Sequence, residues 1–156
     1  MKGCFKSIGC LVFLIIIAVV AGVLYFGSKG AVVYKESQAY VDEAIPAIVS
    51  GWDGQALVSR ATPEFIDAVD ATELARRFGI YRTLGNLQEY KDSERKAKGG
   101  SFKFNGDKDK QIAIAFEAWA EFDAGEAQIK ITVAKQDNEW KISDFNVYST
   151  AFPEQP

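Results

Sequence analysis

The sequence predicts an α+β protein in which an N-terminal transmembrane helix is followed by helices packed on a curved antiparallel β-meander. Three observations carry that prediction. Gly9 to Gly27 is an unbroken apolar run without a charge, apolar residues from Tyr34 to Leu84 recur at helical spacing, and from Leu87 onward they alternate with period two.

The apolar run comes first. About 20 residues at ~1.5 Å rise per residue cross a ~30 Å hydrocarbon core, so Leu11, Val12, Phe13, Leu14, Ile15, Ile16, Ile17, Val19, Val20, Val23 and Leu24 read as a membrane anchor in contact with the lipid bilayer. A cleaved secretory signal, which would leave a secreted soluble protein, is the competing reading. The run exceeds the usual ~7–15-residue signal core, and Val23-Leu24-Tyr25-Phe26-Gly27 offers no small-residue cleavage site. Cys10 precedes the run, whereas a lipid-modified cysteine should follow it. Lys2 and Lys6 flank the near end and Tyr25 and Phe26 the far end, which orients the N-terminus inside the cytoplasmic membrane and the domain outside. The expected division is a short basic segment at 1–8, the anchor at 9–27, a linker at 28–33, one domain at 34–150 and a disordered tail at 151–156.

In the helical half, Tyr34 to Val49 carries Tyr40, Val41, Ala44, Ile45, Ile48 and Val49 on one side and Lys35, Glu36, Asp42 and Glu43 on the other. Pro46 removes a backbone donor within this pattern, so a kink or break is expected near Glu43 to Pro46. Gly51-Trp52-Asp53-Gly54 ends the helix, and Asp53 caps a short one over Gly54 to Arg60 that turns Ala56, Leu57 and Val58 inward. Thr62-Pro63-Glu64 starts another that runs to about Val69. Asp70 with Glu73 forms a capping-box pattern for a helix carrying Leu74, Phe78, Tyr81 and Leu84, with Arg76, Arg77 and Arg82 as its solvated face. Gly85 is its C′ residue.

In the sheet half, Leu87 to Tyr90 is the expected first strand, Lys91 to Lys98 a solvated charged stretch, and Ser101 to Phe104 a short second strand before the Asn105-Gly106 turn. Gln111 to Phe122 alternates most clearly. Ile112, Ile114, Phe116, Ala118, Ala120 and Phe122 face inward, and Ala113, Ala115, Glu117, Trp119 and Glu121 face outward. Pairing Asp123 with Glu126 sets Phe122 against Ala127, Ala120 against Ile129, Ala118 against Ile131 and Phe116 against Val133, every inward pair apolar. A turn at Asp137-Asn138 pairs Lys135 with Trp140 and Val133 with Ile142. An extra residue at Ser143-Asp144 then returns Phe145 to Ile131 and Val147 to Ile129, which predicts a β-bulge.

This layout is an α+β roll. From about Tyr34 to Tyr148, and above all in Asn138-Glu139-Trp140-Lys141-Ile142 followed by Phe145-Asn146-Val147, it resembles the cystatin-like cone superfamily, which includes nuclear transport factor and ketosteroid isomerase relatives. Many small secreted or membrane-anchored bacterial domains look like this. The resemblance implies a cone-like roll, and its enzymes work inside the cone with a carboxylate or a His–Asp pair.

Composition narrows the chemistry. The chain has 18 basic and 21 acidic residues; without Lys2 and Lys6, 16 basic residues face the same 21 acidic ones, a balance of −5 after the anchor. That is a poor match for nucleic acid. Cys4 and Cys10 both lie before or inside the anchor, so the domain has no disulfide. The absence of histidine removes His dyads, triads and His-ligated zinc. Gly99-Gly100 and the Gly51–Gly54 turn match no phosphate loop, and Asp107-Lys108-Asp109 lacks the charge and the glutamate of a calcium loop, so neither cofactor nor metal is expected. The leading reading is an extracytoplasmic interaction or ligand-binding domain without a catalytic site; a small-molecule isomerase- or dehydratase-like enzyme or binder using a carboxylate in the cone with a tyrosine donor, drawn from Asp67, Asp70, Tyr40, Tyr81 and Tyr90, is the alternative. The inward positions of the long strand are all Ile, Phe or Ala, which favours the non-catalytic reading.

The outward face is the more informative surface. Ala113, Ala115, Trp119, Lys130, Thr132 and Ala134 form the candidate interface, because two small alanines beside a tryptophan are unusual on a solvent-facing sheet. In the register above, Trp119 meets Lys130. It either packs under that lysine as a cation–π pair or anchors a homodimer or an envelope-protein contact.

Overall fold

A computed structural model describes residues 17–19, 31–95 and 112–152. It divides into two compact units, Met1–Glu36 and Ser37–Pro156. In the first, residues 17–19 and 31–36 are helical. Among the described residues no helix is long and apolar enough to cross a membrane, and the run expected to do so lies outside them apart from 17–19. The expected strand at Ser101–Phe104 and the Asn105-Gly106 turn also lie outside them.

The second unit is α+β, and its described residues form a four-stranded antiparallel sheet whose strand order follows the chain. Its first helix, α1 (residues 37–49), buries Val41, Ala44, Ile45, Ile48 and Val49 to 1% exposure or less. Of the kink or break expected near Glu43 to Pro46, the break does not occur, since residues 43–46 stay helical. The ~3 kcal/mol that an interior proline costs is outweighed by four large apolar side chains at ~1.5–3 kcal/mol each around it. In the turn after the helix Trp52 takes a left-handed φ of 46° and is held there by its Nε1–H, donated to the Gly85 carbonyl at 3.0 Å.

Three caps follow at the expected residues. Asp53 accepts from Gln55 N–H before α2 (Gly54–Val58), Thr62 from Phe65 N–H before α3 (Pro63–Ala68), and Asp70 from Thr72 N–H before α4 (Ala71–Tyr81). Helix α2 is shorter than expected, and of Ala56, Leu57 and Val58 it fully buries Leu57 alone. Glu73 does not complete a capping box. Its carboxylate is taken by Arg76 at 2.8 Å and Arg77 at 2.9 Å, so these two arginines are paired rather than simply solvated. A 3₁₀ turn at Arg82–Leu84 leads into Gly85, whose φ of 81° suits glycine.

The sheet comprises β1 (Leu87–Arg95), β2 (Ala113–Phe122), β3 (Gly125–Gln136) and β4 (Glu139–Tyr148). Strand β1 extends through most of the stretch expected to be solvated. Its charged side chains suit an edge strand, and a register shift between Lys91 and Glu94 brings Ser93 inside at 1% exposure. Strands β3 and β4 pair as expected, with Lys135 opposite Trp140, Val133 opposite Ile142, a shift between Thr132 and Val133, then Phe145 opposite Ile131 and Val147 opposite Ile129. Asp137 and Asn138 both have positive φ, the requirement of a type I′ hairpin.

The β2–β3 register differs from expectation by two residues. Phe122 faces Gly125, Ala120 faces Ala127, Ala118 faces Ile129 and Phe116 faces Ile131. A two-residue slip leaves every side chain on its own face, so the apolar alternation is satisfied equally by both registers. The turn selects this one. Gly125 supplies a φ of 138°, while Asp123 accepts from Asn86 N–H at 2.7 Å and from the Asn86 and Gln88 side-chain amides.

One face of the sheet packs on the helices. Ile114, Phe116, Ala118, Ala120, Phe122, Ile129, Ile131 and Val133 are all buried, as are Trp52, Leu57, Phe78 and Leu84 of the helical half. Trp52 stacks at 5.0 Å on Phe122 and 5.7 Å on Tyr81, and Phe152 lies 5.8 Å from Tyr81. The segment before α3 joins the β4 edge, with Ile142 N–H donating to Arg60 O at 2.7 Å and Thr62 N–H to Ile142 O at 2.8 Å.

Candidate functional site

The opposite face of the sheet is organised in cross-strand rows. Lys91, Trp119, Gln128 and Tyr148 stand opposite one another across all four strands. Trp119 is 44% exposed and Tyr148 50%, so two large aromatic rings flank one glutamine on a hydrogen-bonded platform. The next row is Glu94, Glu117, Lys130 and Asn146. Lys130 Nζ sits 4.8 Å above the Tyr148 ring and 3.8 Å from Glu117 Oε1, and Gln128 donates to Glu117 Oε2 at 3.2 Å. On the far side, Glu89, Glu121 and Glu126 line up, and Lys91 pairs with Glu126 at 3.0 Å, which holds its ammonium charged above the usual lysine range. Exposed pairs of this kind add little stability. Their effect is to restrict long side chains before anything binds, which lowers the entropy cost of association.

Among the expected interface residues, Trp119 is exposed, Ala113, Ala115, Lys130 and Thr132 are half-buried, and Ala134 is buried at 4%. Ala134 lines a cleft of about 330 Å³ with Thr62, Phe65 and Phe145, so it adds no open surface. The expected Trp119–Lys130 pairing is replaced by Lys130 over Tyr148, a direct result of the two-residue register difference. Tyr148 and Gln128, absent from the sequence-based set, complete the surface. The signal for them was available in the β3–β4 pairing, which sets Tyr148 opposite Gln128 once the bulge is included.

The residues considered for a carboxylate–tyrosine site are dispersed. Asp67 is exposed on α3, Asp70 is committed to the α4 cap, and Tyr40 donates to Arg60 O at 3.4 Å. Tyr81 lies in the aromatic cluster, where burial pushes its hydroxyl pKa up. Tyr90 does find a carboxylate, but it is Asp42 of α1. Its hydroxyl donates to Asp42 Oδ1 at 2.8 Å, the same oxygen accepts from Ser93 N–H at 2.9 Å, and Gln38 donates to Ser93 O at 2.8 Å. Burial and then the Asp42 charge push the Tyr90 hydroxyl far above its usual range, which makes it a fixed donor and a poor proton-transfer group. The spacing of α1 put Asp42 on the solvent side, where Tyr90 reaches it and the register shift in β1 brings Ser93 in beside it. Among the described residues no group of three His, Cys, Asp or Glu side chains could hold a metal ion.

Comparison of the sequence with protein-family models finds no match, and comparison with curated proteins finds none.

Proposed function

We propose that this chain is a non-catalytic interaction domain, held at the outer surface of the cytoplasmic membrane by residues 9–27 and self-associating through the outer face of its sheet. The observation that carries the reading is the Lys91–Trp119–Gln128–Tyr148 row, which offers two exposed aromatic anchors on a rigid four-strand surface. The face also carries both signs of charge, with Lys91 and Lys130 beside Glu89, Glu117 and Glu121. A two-fold axis can therefore set acid against base, as a self-complementary contact requires. The charge-free run and the flanking Lys2 and Lys6 support the anchor and its orientation. Membership of the cystatin-like superfamily is part of the proposal, supported by the sequential meander with helices over one face.

The test is the mass of the full-length chain in detergent micelles by sedimentation, wild type against Trp119→Ala and Tyr148→Ala. Wild type is expected to be a dimer that each substitution weakens by at least tenfold, since anchors of this type contribute about 2 kcal/mol or more. A wild-type chain that stays monomeric at high concentration overturns self-association and turns the search to a heterologous envelope partner.

A further inference from the structure

A second surface lies on the helical layer, away from the sheet's outer face. Helices α2, α3 and α4 enclose a groove of about 460 Å³ whose walls include Val58, Phe65, Ile66, Val69, Leu74 and Phe78. Of these only Phe78 is fully buried, and Ile66 is 44% exposed. Helix α4 and the first residue of the 3₁₀ turn after it form one wall, with Ala71, Leu74, Ala75, Phe78 and Arg82, which spans about 16 Å from first to last. The two alanines keep that wall low where longer side chains would fill the groove.

Its polarity is asymmetric. The corner where α3 meets α4 is apolar, with Ile66, Val69 and Ala71. The other end, where the last turn of α4 approaches the start of α2, holds Asp53, Gln55 and Arg82. Asp53 Oδ1 is engaged by Gln55 N–H at 2.8 Å. Arg82 donates one long bond of 3.4 Å to Trp52 O and has no ion pair among the described residues, unlike Arg76 and Arg77, which share Glu73. An apolar trough about 16 Å long that ends at an arginine with spare donors matches a ligand with an apolar tail and an anionic head.

We propose that the α2–α4 groove binds a medium-chain fatty acid, with the acyl chain along Leu74, Phe78, Val58 and Ile66 and the carboxylate on Arg82. The head binds by charge-assisted hydrogen bonds to the guanidinium, and the Asp53 carboxylate at the same end opposes it. This site is independent of self-association through the sheet, so either can fail without the other.

The test uses the full chain in lipid nanodiscs, photolabelled with a diazirine-bearing dodecanoic acid or the corresponding alcohol and mapped by peptide mass spectrometry. Labelling of residues 9–27 serves as the internal reference for ligand dissolved in the bilayer. The acid is expected to label peptides containing Ile66 and Leu74 above that reference, about fivefold less in Arg82→Gln and more in Asp53→Asn, which keeps the cap. The alcohol is expected to label the groove equally in wild type and Arg82→Gln. Leu74→Trp, with its circular dichroism unchanged, should abolish groove labelling by filling the trough. Groove labelling at or below the bilayer reference, or acid labelling insensitive to Arg82→Gln, overturns the proposal.

Discussion

Asp42 is the residue whose replacement tests the packing of α1 on the sheet most sharply. One carboxylate oxygen accepts both the Tyr90 hydroxyl and the Ser93 N–H. Ser93 is 1% exposed, and its N–H donates to Asp42 Oδ1 as its acceptor among the described residues. Asp42→Ala therefore strands two donors, one on a buried residue and one half-buried. At about 1–3 kcal/mol for a buried donor and less for the second, the expected loss is about 3 kcal/mol. Tyr90→Phe removes a donor together with its need for an acceptor and leaves the Ser93 bond intact, so it should cost about 1 kcal/mol. In the double variant the two losses should fall short of their sum by about 1 kcal/mol, because they share one oxygen. Urea unfolding of the full chain in detergent, followed by tryptophan fluorescence, gives the midpoints. With a slope of ~1–3 kcal/mol/M, Asp42→Ala should lower the midpoint by about 1–3 M without changing the slope. If Asp42→Ala costs no more than Tyr90→Phe, the Ser93 N–H does not depend on Asp42 and the clamp described here is wrong.

Other substitutions probe the remaining contacts. Gly85→Ala should cost about 2 kcal/mol or more by denaturant unfolding, since φ is 81° and a Cβ would lie 2.6 Å from Asp123 Oδ2; Gly51→Ala, where a Cβ meets nothing within 4 Å, is its control. Phe116→Ala, at 1% exposure in the centre of β2, should cost about 3–5 kcal/mol by the same measurement. The acid limb of stability should carry Glu73, whose carboxyl is lowered from 4.5 to about 2 by hydrogen bonds from Arg76 and Arg77. Because the folded value lies below the unfolded one, its contribution is full above pH 4.5 and is lost as pH falls toward 2, so Glu73→Gln should flatten thermal stability against pH within that window and leave its slope unchanged from pH 6 to 8.

What was legible in the sequence was whatever a short stretch decides by itself. Asp53, Thr62 and Asp70 cap helices because each places an acceptor beside the first free N–H groups. The bulge near Ser143 was legible because without it a charged residue would face Ile131. Illegible features depended on partners distant in sequence. The β2–β3 register was decided by Asp123 reaching Asn86 and Gln88, more than thirty residues earlier, and not by any apolar pattern. Strand β1 was underestimated because its charges lie on an edge, where solvation and pairing are compatible. The outer face was recognised through Trp119; Tyr148 followed from the β3–β4 pairing, and only its alignment with Trp119 depended on the β2–β3 register.

The sequential strand order has a consequence for how the chain is made. Each strand after β1 bonds to the strand just before it, and two-residue turns join β2 to β3 and β3 to β4, so this part of the meander can zip from its hairpins with short loop closures. The helices, by contrast, precede the surface that buries them. Val41, Ile45 and Ile48 leave the ribosome before any residue of β2 to β4 has been synthesised, and their apolar stripe must wait for the last third of the chain. The moment of greatest exposure to aggregation thus falls late in synthesis, and a stop just before β4 would leave a bound helical layer on an unfinished sheet.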